Sequence, residues 1–323
     1  MKNYFNKKIT LYILVILVAG ITTTAFAFEK IKMNISSQND FVVEPGKTEI
    51  FLNPGESIVK NITITNRIGK TMKFKLTTED LKGTDNSQQP VVLMGDEEGP
   101  YSLKNFIQPE INEFSLETGE KIIVPVKISV PIDAEPRGHY GALIVSNEPE
   151  VMSDGKSSDA QGKAHIISRI GSLFLLRING EGKEEGSLQD FKIIGPRKYF
   201  YEKNPQGFEI AFKNSGNVHL VPYGKVTIKN LFGRNVGEIP VDAYFALPDS
   251  VRYREILWGD SGFSVGRYTA NLSLYQGYGN EYDESKIAFW IIPWKILLAV
   301  FFGLVIFVSL IYYILTRFEI KKK

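Results

Sequence analysis

Residues Ile296–Leu315 are apolar or small and carry no charge, and about 20 such residues are what a helix needs to cross a bilayer. A charge at the bilayer centre costs roughly 2.5–3.5 kcal/mol on insertion scales, so the clean run selects a membrane span. A buried core helix is the competing reading, and it fails on length and on the lack of a polar face. Trp290, Trp294 and Lys295 precede the run, and Arg317, Lys321, Lys322 and Lys323 close it. Trp290, Trp294, Arg317, Lys321, Lys322 and Lys323 are the candidate membrane anchors. The two rings suit the interface, and the basic tail 316–323 belongs on the cytoplasmic side.

A second apolar run, Leu11–Ile21, follows Lys2, Lys7 and Lys8 and leads through Thr22-Thr23-Thr24 to Ala25-Phe26-Ala27. Charged head, short apolar core and small-residue site predict a cleavable signal over 1–27; the alternative is an uncleaved N-terminal anchor. The body is then extracellular, on a single-pass plasma-membrane protein. A wall-sorting signal would need L-P-x-T-G before the last helix. That stretch reads Tyr278-Gly-Asn-Glu-Tyr-Asp-Glu-Ser285, and Leu247-Pro248-Asp249-Ser250 is a distant look-alike read as a turn.

The chain has 38 basic and 36 acidic residues, but the basic ones gather at the ends. Without the leader and everything from Ile296 onward, 31 basic face 35 acidic residues. A mildly acidic body offers neither the basic stripe nucleic acid requires nor a face for anionic lipid. The absence of cysteine excludes disulfides, thiol catalysis and Cys-based zinc sites. Stability must come from core burial, for which roughly 265 exported residues suffice in two domains.

Period-two alternation dominates that body. Ile58, Ile62 and Ile64 line one face of Ser57–Asn66, and Ile122, Val124, Val126, Ile128 and Val130 one face of Lys121–Val130. Pro125 lacks an N–H and predicts an edge strand there. His139–Ser146 and Ile166–Ile178 follow as strands. Phe208/Ile210/Phe212, Val226/Ile228 and Tyr268/Ala270/Leu272/Leu274 repeat the pattern further on. Many short strands with Gly, Pro and Asn turns predict an all-β fold of two tandem immunoglobulin-like β-sandwiches, over 28–182 and 187–285, joined by a Gly180–Gly186 linker. Leu52-Asn-Pro-Gly-Glu56 and Leu116-Glu-Thr-Gly-Glu120 read as similar hairpin turns within the first. Leu81–Glu110 and Glu148–Lys163 read as polar excursions, with a short helix at Tyr101–Phe106.

Chemistry is hard to find. His139, His165 and His219 stand in no metal spacing, and there is no H-E-x-x-H, P-loop, Rossmann fingerprint or G-x-S-x-G. Ser153–Lys156 matches S-x-x-K and Ser215–Asn217 matches S-x-N, but the first lies in a Gly/Ser loop and no K-T-G follows. Asp96-Glu97-Glu98 shows no ordered calcium spacing. No catalytic, cofactor or metal residues are assigned, and no enzyme is expected. The aromatics Tyr199–Tyr201, Tyr253, Trp258, Tyr275, Tyr278 and Tyr282 read mostly as core, with membrane-surface anchoring the alternative for Tyr275–Tyr282.

The order of signal, larger sandwich, smaller sandwich, membrane helix and basic tail resembles the WxL-interacting proteins of Gram-positive bacteria. Leu52–Glu56 before Ile62–Asn66, Tyr101–Phe106, Val130-Pro-Ile-Asp-Ala134 with Gly138–Ala142, Ala246–Ser250 and Gly266–Leu272 carry the resemblance. Pro248-Asp249 and Phe106 depart from its pattern. It implies a first domain that binds peptidoglycan or another cell-wall polymer, and a second that binds host or partner proteins such as WxL-type surface proteins. The leading expectation is therefore a non-enzymatic, membrane-anchored adhesion scaffold. The alternative is an assembly chaperone for exported subunits acting by β-strand addition. An enzyme acting on wall polymer ranks third.

Overall fold

The computed structural model describes residues 30–34, 36–148, 167–196, 198, 200–259 and 264–317. The expected leader, the S-x-x-K match, His165, Tyr199 and Lys321–Lys323 lie outside the described residues. The first eleven strands are β1 (Lys30–Lys32), β2 (Phe41–Glu44), β3 (Lys47–Leu52), β4 (Ser57–Asn66), β5 (Met72–Gly83), β6 (Val91–Leu93), β7 (Ile107–Pro109), β8 (Glu113–Leu116), β9 (Glu120–Ser129), β10 (Gly138–Glu148) and β11 (Arg169–Ile178). They form two sheets, β1-β9-β4-β2 with β7 also on β9, and β3-β11-β10-β5-β6 with β8 also on β5. The next eight are β12 (Gly186–Ile193), β13 (Phe200–Tyr201), β14 (Gly207–Asn214), β15 (Tyr223–Asn230), β16 (Asn235–Val241), β17 (Ser250–Leu257), β18 (Gly266–Tyr275) and β19 (Tyr282–Ile291). They form the sheets β12-β14-β17 and β13-β19-β18-β15-β16. The described residues are thus all-β, two immunoglobulin-like sandwiches followed by one helix, α1 (Trp294–Arg317).

Alternation explains both cores. Ile62, Ile64, Ile122, Val124, Val126 and Ile128 from one sheet meet Phe74, Leu76, Leu143, Val145, Phe174 and Leu176 from the other. Each such side chain contributes about 1.5–3 kcal/mol when fully buried. The second core joins Phe208, Ile210 and Phe212 to Val226, Ile228, Leu272 and Leu274, with Trp258 edge-on to Phe289 at 6.0 Å.

One polar device occurs in both sandwiches. Asn66, fully buried at the end of β4, donates from Nδ2 to the carbonyls of Lys70 and Leu116 and accepts from the Ile68 N–H. Asn214, fully buried at the end of β14, donates to the carbonyls of Val218 and Ala246 and accepts from the Gly216 N–H. In each, the amide bonds residues two and four further on and one distant carbonyl, so the turn and the sheet beneath it are fixed together. The two L-x-x-G-E turns also match. Gly55 and Gly119 take φ of 83° and 79°, and Glu56 and Glu120 accept the N–H groups of Asn53 and Glu117 at 2.8 Å.

Several expectations need correcting. Pro125 is not on an edge: β9 lies between β4 and the short pair β1 and β7. The Pro125 carbonyl accepts the Glu110 N–H, and a strand residue's N–H points the same way as its carbonyl. The missing donor therefore falls in the gap between β1, which ends its pairing at Ile122, and β7, which begins its pairing at Val126. Tyr101–Phe106 is a turn, not a helix, held because Asp80 accepts the N–H groups of Leu103 and Lys104 at 3.0 Å. The excursion from Leu81 carries the end of β5 and two further strands, β6 and β7.

Gly180–Gly186 runs between β11 and β12 as a strapped linker. Lys183 donates its N–H to Asn217 Oδ1 at 2.7 Å and accepts the Asn217 N–H, Ser215 donates to the Glu185 carbonyl, and Arg177 pairs with Glu184 at 2.7 Å. The second sheet system continues past residue 285, because β19 runs to Ile291 and holds Trp290 opposite Arg267. The Tyr275–Tyr282 hairpin cannot anchor at the membrane surface: it sits at the far end of ten-residue β19 from α1, about 33 Å away.

α1 is 24 residues, about 36 Å at 1.5 Å per residue, long and apolar enough to cross a membrane by length and composition. Its Ser309 and Thr316 hydroxyls donate to the carbonyls of Val305 and Tyr312, four residues back. Trp294 opens it and Arg317 closes it, while Lys295 pairs with Glu202 of the sandwich at 2.8 Å.

Candidate functional site

β10 is buried at almost every position, which a strand reaches only when both faces of its sheet are covered. Leu143 and Val145 enter the first core. Tyr140, Ala142 and Ile144 face the other way and pack with Leu81, Leu175 and Leu247. Leu247 comes from the second sandwich, so the outer face of the β10 sheet is the floor of a joint between the two bodies.

Polar contacts surround that apolar contact. Tyr101 donates its hydroxyl to Asp249 at 2.8 Å, and Val251 donates its N–H to Asp85 at 2.8 Å. Gly138 donates to the Asn217 carbonyl at 2.9 Å. Gly83 lies so close to Ser250 that a β-carbon there would stand 2.5 Å from the Ser250 β-carbon. The segment Leu247–Ser250, read from sequence as a turn, is one; Asp249 takes φ of 52° and Ser250 Oγ donates to the Leu247 carbonyl.

At the centre of the joint is His219, buried to 4% exposure. Its Nε2 stands 2.7 Å from Glu49 Oε1 and its Nδ1 3.3 Å from the Tyr140 hydroxyl. A carboxylate only accepts, so Nε2 donates and the neutral ring's Nδ1 accepts from Tyr140. Burial holds the His219 pKa below its ordinary 6.5, opposed by Glu49 and helped by Arg177 and Lys47. Burial, and then the bond to Asp249, push Tyr101 up to about 12. His139 donates Nδ1 to the Ser102 carbonyl at 2.6 Å and packs 4.7 Å from the Phe106 ring. Burial lowers its pKa too. Neither histidine belongs to a cluster of three metal-ligating side chains, and none exists among the described residues.

Beside the joint runs β17, an edge strand over its whole length. It pairs with β14 from Ser250 to Leu257. Its other side has no ladder partner among the described residues; there Val251 donates to Asp85. The first sandwich has a shorter open edge: β2 covers only Thr63–Asn66 of β4, leaving Ser57–Ile62 unpaired on that side among the described residues. The expected anchors converge only partly. Trp290 is a sheet residue, Trp294 and Arg317 bound α1, and Lys321–Lys323 are outside the described residues. Sequence reading named His219 only to set it aside and missed Glu49 and the β17 edge, because no spacing motif marks a contact between residues 170 apart in the chain.

No protein-family model matches the chain, and no curated protein matches it. Solved structures do. The class 5 fimbriae chaperone CfaA is similar at 11% identity over 79% of this chain and 100% of its own, with a TM-score of 0.34. The Escherichia coli chaperone DraB is similar at 11% identity over 77% and 98%, TM-score 0.35. The CsuC–CsuE chaperone–tip adhesion subunit pre-assembly complex of Acinetobacter baumannii gives 12% identity over 77% and 98%, TM-score 0.35. The leading expectation, an adhesion scaffold that binds peptidoglycan and displays surface proteins, is corrected here: the three structures named above are of chaperones, one of them in complex with a tip adhesion subunit.

Proposed function

We propose that this chain is a membrane-tethered assembly chaperone, working without catalysis, that holds an extended segment of another exported protein by β-strand addition. The observation that carries the reading is the edge of β17. A strand paired on one side only, eight residues long, is a template for another chain's backbone. The joint supports it: a buried His219–Glu49–Tyr140 contact fixes the two bodies relative to each other, so a client meets a preset surface and little is lost to ordering it. α1 and the basic residues from Arg317 support placement on the outer membrane face with the tail in the cytoplasm. The motif resemblance to WxL-interacting proteins is kept as a proposal about ancestry.

The test is capture. A photo-crosslinker at Glu255, exposed on β17, is compared with one at Val236 on β16. Expected is a one-to-one adduct with an exported protein, formed at Glu255 and only while that protein is unfolded. Adducts with folded proteins, or none, would remove the reading.

A further inference from the structure

Arg252 and Arg254 lie on β17 opposite Phe212 and Ile210 of β14. Directly opposite residues in an antiparallel pair share a face, and Phe212 and Ile210 are fully buried core residues. Both arginines therefore point inward, into the seam between the sheets at the edge of the second sandwich. Arg252 Nε and Nη1 and Arg254 Nε are shielded from solvent and have no hydrogen-bond partner among the described residues. The hydroxyl of Tyr244, a residue 7% exposed, is likewise buried and unpartnered. No carboxylate pairs with either arginine among the described residues. The positive field extends towards the joint, with the Arg252 guanidinium 5.6 Å and Lys47 Nζ 5.7 Å from the centre of the Phe245 ring.

Four idle donors and two unneutralised guanidiniums at one place are costly to bury without an acceptor. The geometry points to an oxyanion site: Arg252, Arg254 and Tyr244 take the side-chain carboxylate of an Asp or Glu on an extended segment of another exported protein laid along β17. This deepens the strand-addition reading and rests on it. An added strand puts alternate side chains on the face that Arg252 and Arg254 occupy. One acidic residue at such a position satisfies both arginines, which a guanidinium does best with two parallel bonds. The site would thus choose among extended segments by charge, while backbone pairing stays indifferent to sequence.

The probe is a blocked peptide, acetyl-Thr-Val-Glu-Val-Thr-Val-amide, against its Glu→Gln counterpart, with the full chain in detergent micelles. Binding is read by anisotropy and the site by hydrogen exchange of β17. The Glu peptide should slow exchange in residues 252–257 and bind roughly ten-fold tighter, the scale of one charge-assisted bond. Arg254→Gln should erase that preference, and Arg254→Lys, which keeps the charge and the fold, should retain part of it. Equal binding and equal β17 protection by both peptides overturns the carboxylate site and leaves strand addition standing. No β17 protection by either overturns strand addition at this edge and the site with it. Inorganic sulfate binding as tightly as the Glu peptide overturns the strand-borne ligand.

Discussion

His219 Nε2 donates to Glu49 Oε1 at 2.7 Å across the boundary between two sandwiches, from a ring almost wholly removed from water. Deleting the ring would strand the Tyr140 hydroxyl and leave a void. His219→Ala is expected to cost about 2–4 kcal/mol, the range for a lost buried bond plus a cavity. Urea denaturation of the full chain in micelles should then show the two sandwiches melting separately. A single transition at the native midpoint would show that the contact does not couple them.

Acid should loosen the same joint. His219 ordinarily titrates at 6.5, and burial lowers that in the folded state, so the unfolded chain takes up its proton first. The stabilisation is complete above pH 6.5 and is lost as pH falls through the folded value. Lys47 and Arg177 add to the effect, Glu49 opposes it, and His139 shifts the same way. Thermal melts should fall between pH 7.5 and 5.0, and fall less in His219→Gln. Parallel curves would contradict the assignment.

Gly83 tests how tightly the bodies are pressed together. Gly83→Ala drives a methyl into Ser250 and should destabilise by about 1–3 kcal/mol, the usual cost of overpacking. Gly46→Ala has open space around it and is the control. Matching melting temperatures for the two variants would mean that the joint yields freely.

Asn66 and Asn214 each need an amide that donates twice and accepts once. Asp at either position keeps the acceptor and turns the two donors into acceptors facing carbonyls, so Asn66→Asp and Asn214→Asp should each cost at least about 3 kcal/mol. Chemical denaturation at neutral pH would show it. A loss below about 1 kcal/mol would demote the paired device to an incidental contact.

Much of the fold is legible in the sequence because alternation reports burial of one face. Ser57–Asn66 and Lys121–Val130 show it plainly, and their strands meet in register from Ser57 with Ser129 to Thr65 with Lys121. β10 held a further sign: Tyr140, Ala142 and Ile144 are as apolar as Leu143 and Val145, and apolar residues at both parities mean a second covering body. How tightly Gly180–Gly186 is held is not legible, because glycine permits both looseness and tight passage, and only Asn217 and Glu184, through their bonds, decide between them. Nothing in the sequence singles out Arg252 and Arg254. Their inward parity is set by the pairing with Phe212 and Ile210, which no local pattern encodes.

The placement of β19 also has a mechanical meaning. It leads through two residues into α1, while β12 leaves the strapped joint at the opposite end of the same sandwich. A pull on the first sandwich against a membrane-held helix would load the ten paired residues of β18 and β19 in parallel along the strand axis. Strands loaded that way must slip together rather than peel one bond at a time. The second sandwich would then act as a tension-bearing coupling between the first sandwich and the helix.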